Sequence, residues 1–321
     1  MRVLSEHFMD DLVKPDGLLY PILTQVKKDH TLMLAIRKDN INIYYRGGNI
    51  LKLMEDKKGY YKTFFEPEYN KFGKVIPLLP GTIEDQDDAK KWVASLPEVK
   101  NIMDEFFSVN GRAEREFQQL VARENNDSTI SNESEYFISD IEFADSELHA
   151  RIDLLAIRWL ATQRKNGSNC RAALIEMKYG DGSLSGSAGL LKHLKDFDVL
   201  ISDKKRYQLL VETMESQFNQ LDILGLLSFK RCSNGTKVKL SAIDKPEVIF
   251  ILADHNPRST KLWSLINSPE IIAYEQSQLF NLRFFVSSFA GYGLHADCMV
   301  DLTQFRGLLK KSNTNNTLNR T

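Results

Sequence analysis

Two short apolar runs, Arg151-Ile-Asp-Leu-Leu-Ala-Ile157 and Ala172-Ala-Leu-Ile-Glu-Met-Lys178, have the length and content of buried strands, yet they carry Asp153, Glu176 and Lys178. An ionised group enclosed by apolar neighbours costs on the order of several kcal/mol unless it is paired or ligates a cation. That is a large share of the roughly 5–15 kcal/mol by which a domain is stable. Any fold open to this chain must compensate all three charges.

Side chains alternate along a strand, so Glu176 and Lys178 share one face and Ile175 and Met177 the other. On the earlier run Asp153 belongs to the same alternating set as Arg151 and Leu155. If the strands pair with Asp153 opposite Glu176, two carboxylates and an ammonium meet at one point of a sheet. Adjacent carboxylates repel and raise a pKa unless a cation sits between them. Oxygen ligands suit Mg²⁺ or Mn²⁺, which take one or two protein carboxylates and complete their shell with water and phosphate. A lysine beside such an ion orients water or stabilises charge developing on phosphorus. The arrangement suits phosphodiester hydrolysis. The competing reading is a structural ion pair of Lys178 with Asp153 or Glu176. Two other E-x-K triplets, Glu55-Asp-Lys57 and Glu98-Val-Lys100, lie in polar or turn-like surroundings and follow no strand with a lone Asp.

Composition narrows the partners. The chain has 321 residues, 42% of them hydrophobic, enough for one large or two ordinary domains. Lys plus Arg (42) and Asp plus Glu (43) nearly cancel, so no global basic field argues by itself for nucleic acid or anionic membrane. The first twenty residues hold acids and a proline where a signal peptide needs an apolar core, and no run of ~20 apolar residues exists. A soluble, cytoplasmic protein with no membrane partner is expected. Cys170, Cys232 and Cys298 lack C-x-x-C spacing, which suggests neither a disulfide framework nor a zinc site.

Taken in order, residues 1–100 read as a β-rich N-terminal domain of unassigned role. Thr31–Arg37, Ile41–Arg46 and Ile50–Met54 are β-prone runs separated by Lys38-Asp-Asn40 and by Gly47 and Gly48, the signature of an antiparallel meander. Tyr44, Tyr45, Tyr60, Tyr61, Phe64 and Phe65, with Arg46, Lys58 and Lys62 among them, fit cross-strand packing more simply than a stacking surface for nucleotides. Glu84-Asp-Gln-Asp-Asp88 leads into a helix from Ala89 that is expected to stop near Pro97. Residues 101–124 are helical by period, interrupted at Gly111. Glu114 falls on the stripe of Phe117 and Val121 that faces the core, whereas Glu116 turns about 100° away into solvent. Three strand-length runs follow, 136–143, 148–159 and 170–179, then helices at 190–200 and 203–224. In the second of these, Tyr207, Leu210, Val211, Met214, Phe218 and Leu221 form one apolar face. Residues 246–253 read as a strand covered on both faces, 281–289 and 294–302 as a closing pair, and 310–321 as a disordered tail.

The order helix, strand, strand with Asp153, strand with Glu176-x-Lys178, helix resembles the PD-(D/E)XK nuclease superfamily. Gly111-Arg-Ala-Glu-Arg-Glu-Phe117 is similar to the segment that opens archaeal Holliday-junction resolvases. The resemblance covers residues 111–290 in topology. It implies an α/β restriction-endonuclease-like fold, a mixed central sheet flanked by helices, over residues 101–309. It further implies a Mg²⁺- or Mn²⁺-dependent nuclease acting on DNA, with a homodimer compatible. Glu114, Asp153 and Glu176 would be metal ligands, the Met177 backbone carbonyl a further one, and Lys178 the catalytic lysine. Ile152 stands where the name-giving proline would be, and no Q-x-x-x-Y follows, which argues against the RecB-like subgroup. An RNA nuclease on the same scaffold, and a nucleic-acid-binding or protein-interaction module that does not cleave, are the alternatives. Among the neighbours, Asp140 and Glu142 read more simply as a solvent-facing edge than as an extension of the acidic site. Lys192, His193 and Lys195 are balanced between phosphate contacts and a solvated helix face, and His255 between the site and turn chemistry.

Overall fold

The structure, a computed structural model, describes residues 2–127, 134–164, 166–186, 188–229, 237–256, 259–286 and 291–314. It is a mixed α/β protein with two sheets. Its contacts divide it into a first unit, residues 1–123 with 216–228, and a second, residues 124–215 with 229–321. Residue 100, the boundary expected from the sequence, lies within one helix of the first unit, Gln86–Val109.

The first unit opens with two helices that the β-rich reading did not include. Ser5 caps α1 (Glu6–Val13) by accepting from the Phe8 N–H, and Phe8 and Leu12 are buried. Pro21 stands in the first turn of α2 (Tyr20–Lys28), where its missing N–H costs nothing. The meander then appears as expected: β1 (Leu32–Arg37), β2 (Asn40–Tyr45), β3 (Gly48–Glu55), β4 (Tyr61–Phe64) and β5 (Thr82–Ile83) pair antiparallel in sequence order. Arg46 and Gly47 both have positive φ, 49° and 69°, as a hairpin turn that follows strand twist requires. Of the aromatic residues, Tyr44 and Tyr61 serve packing, whereas Phe64 is exposed. Tyr61 is fully buried and donates to Asp11 Oδ2 at 2.7 Å, Tyr44 is buried, and Arg46 is paired with Asp104 and Glu116.

Asp85 caps α3 (Gln86–Val109), accepting from the N–H groups of Asp87 and Asp88. The helix passes through Pro97, where it was expected to stop. A proline inside a helix costs about 3 kcal/mol, but the buried stripe continues on both sides of it through Trp92, Leu96, Val99, Met103 and Phe106. Burial of that stripe offsets the local cost. After the break around Gly111 comes α4 (Ala113–Asn126). It approaches the β2–β3 turn so closely that a Cβ on Gly47 would lie 2.5 Å from the Arg115 carbonyl carbon. Gln119, buried at this contact, accepts from the Gly47 N–H at 2.7 Å and donates to the Thr31 and Tyr44 carbonyls at 2.9 and 3.3 Å. Gln119→Ala should therefore cost about 1–3 kcal/mol by leaving buried backbone groups unpaired. Urea unfolding monitored by circular dichroism measures the loss, and a midpoint unchanged from wild type would refute the role.

The second unit contains β6 (Tyr136–Asp145), β7 (Ala150–Arg158), β8 (Arg171–Tyr179), α5 (Leu190–Ser202), α6 (Lys204–Ile223), β9 (Glu247–Ala253), α7 (Thr260–Ile266), α8 (Pro269–Ile272), β10 (Asn281–Phe285), β11 (Met299–Val300) and α9 (Leu302–Thr314). Its sheet runs β11-β10-β9-β8-β7-β6. The three-stranded meander β6–β8 is antiparallel, β9 lies parallel to β8 and β10 parallel to β9. Val248 to Ile251 are buried on both faces, as an uninterrupted apolar run requires. The apolar face of α6 is buried from Tyr207 to Leu221, but residues 216–223 belong to the first unit, whose core includes Leu221 and Leu224. There the Gln220 amide clasps the backbone of Leu4: it accepts from the Leu4 N–H and donates to the Leu4 carbonyl, both at 2.9 Å. The tail expected from residue 310 is helical through Thr314, and the remainder lies outside the described residues. Among the described residues no helix is long and apolar enough to cross a membrane.

Candidate active site

The site is set by the register of β7 on β8. Leu155 pairs with Leu174 and Leu154 with Ile175, where the ladder ends, and continuing that register would bring Asp153 opposite Glu176. At that step the Asp153 side chain takes part in the strand pairing, and its Oδ2 accepts from the Met177 N–H at 2.9 Å. On the other side Glu176 is paired with Phe250 and Lys178 with Leu252 of β9. Glu176 and Lys178 share one face of β8, and strand alternation assigns Asp153 to that face.

Glu176 and Lys178 are almost completely enclosed, at 2% and 3% exposure. Lys178 Nζ donates to Glu176 Oε1 at 2.7 Å. From α5, His193 brings Nε2 to 3.0 Å from the same oxygen. The second oxygen, Glu176 Oε2, is buried and finds no hydrogen-bond partner among the described residues. Burial pushes the Glu176 carboxyl upward; His193 and Lys178 together outweigh that and hold it below the ordinary carboxylate range. One oxygen faces both nitrogen groups, and the other has no hydrogen-bond partner among the described residues.

The neighbours fall differently from their sequence expectations. Asp140, read as part of a solvent-facing edge, is fully buried and pairs with Leu155 on the face of Asp153. Glu142 lies between the Ile141–Leu154 and Phe143–Ile152 pairs, hence opposite Asp153, and has φ of 48°. Lys192 is exposed and paired with Asp196 one turn on, and Lys195 is exposed, so both belong to the solvated face of α5. His193 alone of that trio turns inward. His255 Nδ1 lies 2.8 Å from Asp181 Oδ1 and Nε2 3.2 Å from the Lys178 carbonyl, which braces the end of β8 just past the lysine. Asp181 is held below the usual carboxylate range, first by the Ser259 hydroxyl and then, against desolvation, by His255.

Glu114 lies in the first turn of α4, half-buried, in the first unit. Glu116, expected to be solvated, is instead paired with Arg46. Cysteine chemistry has no support at Cys170, where burial pushes the thiol up to about 12 and Sγ donates to the Gly167 and Lys239 carbonyls.

A divalent cation needs carboxylate oxygens that are ionised and not already saturated. Glu176 Oε2 has no hydrogen-bond partner among the described residues, and Asp153 stands on the neighbouring strand. Among the described residues no group of three or more His, Cys, Asp and Glu side chains is placed to hold a metal. Water must then supply much of the shell, which is usual for Mg²⁺ and Mn²⁺. Sequence reasoning found Asp153, Glu176 and Lys178; the inward turn of His193 left a weaker signal, since its position borders the buried stripe of Leu190, Leu194 and Phe197. Compared with family models, curated proteins and solved structures, the chain matches none.

Proposed function

We propose that the chain is a metal-dependent nuclease of the PD-(D/E)XK type, hydrolysing phosphodiester bonds in DNA from a restriction-endonuclease-like second unit. The observation that carries this reading is the buried Lys178–Glu176 pair on the strand beside Asp153, whose Oδ2 accepts from the Met177 N–H, with Glu176 Oε2 left without a hydrogen-bond partner among the described residues. Asp153 and Glu176 would hold Mg²⁺ or Mn²⁺, which supplies a water of lowered pKa and neutralises phosphate charge. Asp153 is oriented by the Met177 N–H, which restricts its side chain before any ion binds. Lys178 offers a fixed ammonium beside the acids, placed to orient water and offset charge developing on phosphorus. Met177 contributes backbone only: its side chain is fully buried on the opposite face.

A second reading, a nucleic-acid-binding or protein-interaction module without cleavage, is favoured by the closed Lys178–Glu176 pair, which a purely structural ion pair would also form. One assay separates them. Supercoiled and linear DNA, single-stranded DNA and RNA are incubated with the protein in Mg²⁺, Mn²⁺ or EDTA, beside Asp153→Ala and Lys178→Ala. Cleavage of DNA by wild type alone, abolished by EDTA, is the expected result. Substrates bound but left intact by all three proteins would leave the binding module standing.

A further inference from the structure

We infer that the peptide bond between Leu78 and Leu79, in the first unit, is a processing site presented to an endopeptidase whose primary pocket takes a large aliphatic side chain. Folding alone does not account for the exposure of this segment. Phe64, Phe72, Val75, Ile76 and Leu78 gather uncovered in one stretch, with Val75 at 93% and Leu78 at 98% exposure, and contiguous uncovered apolar surface marks a place where another molecule docks. Residues 73–80 form neither helix nor strand. Val75 to Leu79 make no hydrogen bond among the described residues.

The two ends of the stretch, by contrast, are fixed. The Asn70 side chain accepts from the Lys74 N–H and donates to the Lys74 carbonyl, both at 2.9 Å, and Lys74 Nζ pairs with Glu105 of α3 at 3.0 Å. At the far end the Pro80 carbonyl accepts from Trp92 Nε1 at 2.9 Å and from the Thr63 hydroxyl at 2.6 Å. Leu79 packs, partly buried, against the core of the same unit. An apolar peptide with open backbone groups is thus strung between two anchors, and an enzyme that binds it has less chain freedom to remove.

Two prolines single out the bond. A protein that takes up an extended chain pairs with the backbone of alternate residues and receives side chains in pockets. With Leu78 in the primary pocket, that pairing falls on Leu78 and Ile76, and Pro77 between them needs no N–H. The bonds after Ile76 and Leu79 run into Pro77 and Pro80, whose rings occupy the position of the scissile N–H. Phe72 lies in a turn closed by Gly73 at φ of 70°, so the chain there is not extended. The bond after Leu78 remains. Hydrolysis adds one water across it and leaves a carboxylate on Leu78 and an ammonium on Leu79, with the whole second unit on the longer fragment.

The test is native limited proteolysis of the full chain by chymotrypsin, whose apolar slot accepts leucine as well as aromatic residues, read by intact-mass spectrometry. The first cut should follow Leu78 and give fragments 1–78 and 79–321 that still elute together in size exclusion. Leu78→Glu should slow that cut by about a hundredfold while melting like wild type, because the side chain is almost wholly exposed. A first cut after Phe64 or Phe72, or no cut before the protein unfolds, would overturn the inference. So would cleavage at the wild-type rate in this segment of a folded Leu78→Glu variant.

Discussion

If the chain is the nuclease proposed, Asp153→Asn should cut cleavage steeply while leaving the fold nearly intact. The asparagine carbonyl oxygen can still accept from the Met177 N–H, so the join between β7 and β8 survives the exchange. What is lost is the charge. Removing one anionic ligand from a divalent site takes away several kcal/mol of transition-state stabilisation, which is roughly a 10³-fold fall in rate. Asp153→Ala should lose the same activity and also orphan the Met177 N–H, at about 1–3 kcal/mol of stability. Single-turnover cleavage and urea melts on the three proteins read the two effects separately. An Asp153→Asn enzyme that retained cleavage would remove Asp153 from the chemistry.

The largest stability effect belongs to Lys178. Truncation to alanine leaves Glu176 enclosed with its main countercharge gone, a change that costs about 3–5 kcal/mol for buried pairs. In EDTA the Lys178→Ala protein should show that full loss. Saturating Mn²⁺ should return much of it, because a cation beside Glu176 replaces the missing charge and binds the folded state selectively. The double variant Glu176→Gln/Lys178→Ala should likewise be more stable than Lys178→Ala alone, since no charge is left to compensate. Should Mn²⁺ leave the melting curve of Lys178→Ala unmoved, the ion pair would be structural and the non-cleaving reading would gain.

Both predictions depend on residues that were visible in the sequence, for a physical reason. A charge in an apolar run is rare because it is costly, so Asp153, Glu176 and Lys178 stood out before any fold was known. Strand periodicity then assigned them a common face, and the meander of β6, β7 and β8 supplied their register. Other features were hidden because they depend on partners distant in sequence. Whether Asp140 meets solvent or protein is decided by what covers the edge strand, and nothing in β6 itself reports that. Glu116 carries the phase of an exposed residue; only the turn at Arg46 shows that a guanidinium awaits it. Pro97 looked like a terminator because local propensity was weighed without the apolar stripe that continues past it. His193 sat beside two lysines, whose charge masked the inward direction of its ring.

The clasp between Gln220 and Leu4 also has a consequence for how the protein is made. A ribosome releases the chain from its N-terminus, and compact units ordinarily fold as soon as they emerge. Here the first unit lacks part of its core until Leu221 and Leu224 have been synthesised, whereas residues 2–127 are out long before. The nascent N-terminal sheet must therefore wait, with an unfilled apolar surface, through translation of the entire β6–β8 meander. Closing a contact over such a separation is slow on entropic grounds, and this interval is where a chaperone would find the chain.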